Sequence, residues 1–97
     1  MSYVEFLRQQ GKINNAIFSF HLSFSYHRYQ PDDESYVTFG GYNKSAIVGD
    51  IHWFHLSNTY HWTIRAYSIS YDGQEIKTSY VQETAIVDTG TSLLLVP

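Results

Sequence analysis

From Ile17 to Tyr26 the side chains alternate strictly. Phe18, Phe20, Leu22, Phe24 and Tyr26 fall on one side, and Ser19, His21, Ser23 and Ser25 on the other. A period of two predicts a half-buried β-strand. Ahead of it, Tyr3, Val4 and Leu7 share one face of a short helix over residues 3–10, with Gly11 placed to end it. The polar run Gln30-Pro31-Asp32-Asp33-Glu34 predicts a solvated hairpin tip, and Ser35–Phe39 the return strand, stopped by Gly40-Gly41. Residues 47–56 predict a further β stretch and Ser57-Asn58-Thr59 a loop. Alternation resumes over Trp62–Tyr67. Ser68–Tyr71, Asp72-Gly73 and Gln74–Thr78 predict a hairpin closed by a type I′ turn, for which Asp-Gly is a strong local signal. A strand over Glu83–Val87 leads into Asp88. Leu93-Leu94-Leu95-Val96-Pro97 is an apolar strand with nothing after it to pair with, which predicts that these residues are part of a larger domain.

Composition agrees with this β-rich reading. Nine Tyr, six Phe and two Trp in 97 residues favour packed sheet faces. A net charge of −3, with Arg8, Lys12, Arg28, Lys44, Arg65 and Lys77 scattered, leaves no phosphate track, so nucleic acid is not an expected partner. The absence of cysteine excludes disulfides and thiolate metal sites within these residues. No apolar run approaches the roughly 20 residues that span a bilayer, and Glu5 and Arg8 interrupt the apolar cluster near Met1, so no signal peptide is read there.

The candidate chemistry lies near the end of the chain. Ala85-Ile86-Val87-Asp88-Thr89-Gly90-Thr91-Ser92 carries one carboxylate out of an apolar strand into a Thr-Gly turn flanked by hydroxyls. A bare Asp-Thr-Gly is ordinary turn chemistry. Apolar runs on both sides, and a second hydroxyl pair, are not what a solvated tip requires. His52 and His55 point to opposite faces of the expected strand, so metal ligation is not expected, and no Gly-x-Ser-x-Gly elbow supports a serine hydrolase. Asn43-Lys44-Ser45 fits the N-glycosylation sequon, which is compatible with a secretory or vacuolar parent.

Residues 85–93 resemble the second catalytic motif of the pepsin-like aspartic proteases (peptidase A1). Gln10-Gly11 with Ile17–Ser23 resembles the family's helix, glycine and following strand. Val37-Thr38-Phe39-Gly40-Gly41, Gly49-Asp50-Ile51-His52-Trp53 and Trp62-Thr63-Ile64 match further family segments in order. The resemblance implies an all-β, partial two-lobed acid-protease fold with one short helix near the N-terminus. Residues 1–46 would be the end of the N-terminal lobe with inter-lobe sheet, and 47–97 the start of the C-terminal lobe.

By the same resemblance Asp88 is the second Asp of a water-activating dyad. Gly90 lets the backbone approach its carboxylate, Thr89 braces the two catalytic loops, Thr91 lies near the carboxylate, and Ser92 completes the supporting loop. No cofactor is implied. The substrate of the parent would be a peptide or protein, and its location secreted or lysosomal/vacuolar. The first Asp-Thr-Gly would lie upstream, so these 97 residues alone are expected to be inactive. A retroviral-type homodimer carries its motif early in the chain and does not fit. A non-catalytic pepsin-fold binding module, a truncated inactive product and an unrelated β-sandwich remain the alternatives. Two positions depart from the family pattern: Tyr42-Asn43 follow Gly40-Gly41 where an Asp is common, and His61 stands before Trp62 where many members carry an aromatic.

Overall fold

A computed structural model of the chain describes residues 1–23, 34–76 and 83–95. The predicted positions Phe24 and Tyr26, residues 30–33 of the expected tip, Lys77-Thr78 and Val96-Pro97 lie outside the described residues. The chain divides into two compact units, Met1–Ile51 and His52–Pro97.

The first unit opens with helix α1, Tyr3–Gln9. Ser2 and Glu5 cap it reciprocally: the Ser2 N–H donates to Glu5 Oε2 at 2.8 Å, and the Glu5 N–H to Ser2 Oγ at 3.4 Å. Those bonds from Ser2, its backbone N–H foremost, hold the Glu5 carboxyl below its ordinary range. At the other end Gly11 takes φ +69°, its N–H donates to Arg8 O (2.9 Å), and the Lys12 N–H reaches Leu7 O (3.0 Å). This is a Schellman close, the role expected for Gly11.

Strands β1 (Phe18–His21) and β2 (Tyr36–Phe39) pair antiparallel, with Phe18 opposite Phe39 and His21 opposite Tyr36. The Phe18 and Phe39 rings lie 6.5 Å apart, Tyr3 meets Phe39 edge-on at 5.6 Å, and His21 stacks on Tyr36 at 4.7 Å. Gly40 has φ +89°, and a Cβ there would stand 2.9 Å from Ile13 Cβ and Cγ2, so both backbone angle and space require glycine. The Gly40 N–H donates to Ile17 O at 2.7 Å, and Ser19 Oγ donates to Gly41 O at 3.0 Å, tying the Gly-Gly turn to the start of β1. A 3₁₀ turn, Lys44–Ala46, follows.

β1 covers only Phe18–His21 of the predicted span, and its burial does not follow the predicted alternation: Phe18, Ser19 and His21 are half-buried, while Phe20 is 50% and the adjoining Leu22 62% exposed. Among the described residues no hydrophobic side chain is fully buried, and two strands cannot cover their own faces. The β stretch predicted over 47–56 is absent. These residues join no ladder, Gly49 turns to φ +82°, and Val48 is fully exposed. Hydrophobic content suggested a strand there, but a strand also needs a neighbour to take its backbone hydrogen bonds.

In the second unit β3 (Thr63–Ala66) pairs antiparallel with β6 (Glu83–Ile86), and β4 (Ile69–Tyr71) with β5 (Gln74–Ile76). The β4–β5 connection is the predicted type I′ turn, with Asp72 at φ 50° and Gly73 at φ 75°. Each of these strands lies within the span predicted for it. Thr63 at the head of β3 is 2% exposed, and its hydroxyl has no partner among the described residues.

Candidate active site

The β3–β6 ladder sets Thr63 opposite Ile86 and Ile64 opposite Ala85. One residue further on, the Val87 N–H donates to Trp62 O at 2.8 Å. The ladder thus holds β6 up to the residue before Asp88, and the chain then turns through Thr89 and Gly90. The Gly90 N–H donates to Asp88 Oδ1 at 2.8 Å, the Thr91 hydroxyl to Oδ2 at 2.6 Å, and the Thr91 N–H to the Asp88 carbonyl at 3.4 Å. Each carboxylate oxygen therefore has its own donor. A Cβ at position 90 would lie 3.2 Å from Oδ1, so glycine leaves the carboxylate the space it occupies.

The electrostatics follow from these donors. The Thr91 hydroxyl first, and then the Gly90 N–H, hold the Asp88 carboxyl below its ordinary value; slight desolvation opposes them, and the charge of His61 adds to the lowering. Asp88 is exposed, so its carboxylate is open to water or to a ligand.

Of the five positions expected to build the site, Asp88, Gly90 and Thr91 are joined by hydrogen bonds. The side chains of Thr89 and Ser92 are exposed and make no hydrogen bond among the described residues. A sixth participant escaped the sequence reading. His61, whose charge lowers the Asp88 carboxyl, stands just before Trp62, the residue whose carbonyl takes the Val87 N–H, and the Thr63 N–H folds back onto His61 O at 2.8 Å. His61 is held there by Asn58, whose Oδ1 accepts the backbone N–H groups of Tyr60 and His61 at 3.1 Å each. The Ser57 N–H and hydroxyl close the same loop on Thr63 O, at 2.8 and 3.1 Å. Asn58 as a turn former was the available signal. The cross-strand register, which no local pattern reveals, was not.

Among the described residues no three His, Cys, Asp or Glu side chains come together as a metal set, and no helix is long and apolar enough to cross a membrane. A lone carboxylate with one N–H and one O–H donor is equipped for proton exchange with water.

Comparison with known proteins identifies the class. The family model for eukaryotic aspartyl proteases matches residues 1–97. The chain is 40% identical over 91 residues to a pregnancy-associated glycoprotein of Equus caballus, covering 94% of this chain and 22% of that protein. It is 40% identical over 88 residues to pepsin A of Rhinolophus ferrumequinum (91% and 21%) and 36% identical over 89 residues to gastricsin of Callithrix jacchus (92% and 22%). No solved structure matches. The chain belongs to the eukaryotic aspartyl protease family, and it spans about a fifth of the length of the curated relatives it matches.

Proposed function

We propose that Asp88 is one of the two carboxylates with which an aspartic endopeptidase hydrolyses peptide bonds. The observation that carries this is the turn itself: both Asp88 oxygens are held, at 2.8 and 2.6 Å, by donors from the Asp-Thr-Gly-Thr segment that ends β6. Metal-free hydrolysis needs a base to take a proton from water and an acid to give one to the carbonyl or the leaving nitrogen. Two close carboxylates sharing one proton supply both. Donors to both Asp88 oxygens favour its ionised form and fix its orientation. Thr89, whose hydroxyl has no partner among the described residues, would brace the opposite catalytic loop, and Ser92 would support the turn. The second carboxylate would come from a segment matching the remaining four-fifths of the relatives.

Residues 1–46 would close the N-terminal lobe and 47–97 open the C-terminal one; the division of the chain near Ile51 is in keeping with this. The substrate would be a peptide or protein, and the parent would be secreted, in keeping with its pepsin, gastricsin and glycoprotein relatives; a lysosomal or vacuolar route is the alternative.

With one dyad carboxylate the 97-residue chain has no proteolytic activity of its own. Peptide cleavage by the purified chain, inhibitor-sensitive and lost on Asp88→Ala, would overturn that statement. The dyad role is tested by grafting: the matched segment of pepsin A is replaced by this chain, and acid peptidase activity is compared with and without Asp88→Asn.

A further inference from the structure

Outside the candidate site, the segment after the Gly-Gly turn carries chemistry that proteolysis does not use. Asn43-Lys44-Ser45 is the one Asn-x-Ser/Thr triplet in the sequence, and its middle residue is not proline. All three residues are exposed. The Asn43 carboxamide is held by its oxygen: Oδ1 accepts the Ser45 hydroxyl at 2.7 Å and the Ser45 N–H at 3.1 Å. Its nitrogen keeps both hydrogens for other use. One is donated to the Tyr36 hydroxyl at 3.0 Å, and the other has no partner among the described residues.

We infer that Asn43 is an acceptor site for N-linked glycosylation, its donor an oligosaccharide carried on a lipid diphosphate. In the transfer a bond forms between Asn43 Nδ2 and the anomeric carbon of the first sugar. The bond from that carbon to the diphosphate oxygen breaks, its electron pair leaving with the lipid diphosphate, and the proton that Nδ2 gives up balances the charge on that leaving group. The free N–H is the one replaced, so the remaining N–H can keep its bond to Tyr36. The hydroxyl that the sequon requires at Ser45 is the group that bridges to Oδ1. An exposed turn on an open surface leaves a bulky, solvated glycan room without displacing packed side chains.

The inference rests on the secretory route proposed above, and the experiment separates the two. The chain is translated behind an added cleavable leader in the presence of rough microsomes, so entry to the lumen does not depend on the natural route. Wild type is expected to show a single-glycan mass increase reversed by peptide-N-glycosidase. Enzymatic release in heavy-oxygen water should convert Asn43, and no other residue, to labelled Asp. Asn43→Gln and Ser45→Ala should abolish the shift, and Ser45→Thr should retain it. An unshifted wild type, or an Asn43→Gln chain shifted like wild type, overturns the assignment. The natural route is read separately, from whether the protein with its own leader is secreted from cells.

Discussion

The open sheet faces make a quantitative prediction about the chain on its own. It exposes 9441 Å² of accessible surface. A self-contained monomer of its 11.3 kDa would expose about 5,700 Å², and the fully extended chain about 16,000 Å². Unfolding would therefore uncover about 7,000 Å², roughly two-thirds of what a compact domain of this length uncovers. The denaturant slope scales with that area and the stabilisation with its apolar part. With no fully buried hydrophobic side chain among the described residues, the isolated chain is expected to lose structure gradually in urea, without a sigmoidal transition. Trp53 and Trp62, both exposed, should emit near the water-exposed limit before denaturant is added, and an apolar dye should bind the chain in plain buffer. The assay is a urea titration followed in parallel by tryptophan emission and far-ultraviolet circular dichroism. A single sharp transition, coincident in both probes and with the slope of a compact 97-residue domain, would overturn this expectation and show that these residues make a self-sufficient fold.

Other consequences are local and can be measured on the turns themselves. Thr91→Val removes the shorter bond to Asp88, so the carboxyl midpoint, followed by carbon NMR, should rise toward the ordinary aspartate range. Because the Asp88 value is depressed, its contribution to holding the turn is present above the ordinary carboxylate range and is lost as pH falls through the lowered value. His61→Gln should raise the same midpoint, and His61→Lys should keep it low, both effects shrinking with added salt; an unmoved midpoint in His61→Gln would show that the His61 charge does not act on Asp88. Gly73→Val places a β-branched residue at φ 75°, at a cost of about 1–2 kcal/mol, and should erase the cross-strand Ile69–Ile76 contacts in NMR spectra.

What could be read from the sequence was what is decided locally. Gly11 ends α1 and Asp72-Gly73 closes the β4–β5 hairpin because their backbone angles are set within a few residues. Asp-Thr-Gly-Thr was legible for the same reason, since its donors lie two and three residues from the carboxylate. Residues 47–56 misled because their hydrophobic content suggested a strand, while nothing in the pattern said whether a partner was present. The contribution of His61 was hidden for a related reason. It depends on the pairing of β3 with β6, distant in sequence, and on Asn58 fixing the loop that precedes β3. The exposure of Phe20 and Leu22 follows from the same limit: alternation names the face to be covered and not what covers it.

The dyad role proposed for Asp88 can be read in the pepsin A graft, from the rate of peptide cleavage in acid with Asp88 and with Asn at that position. The graft is expected to cleave, and Asp88→Asn to lose about a thousandfold or more, the scale of a missing general acid–base group. A folded graft that does not cleave, or an Asp88→Asn graft that cleaves as fast as its parent, would contradict that role.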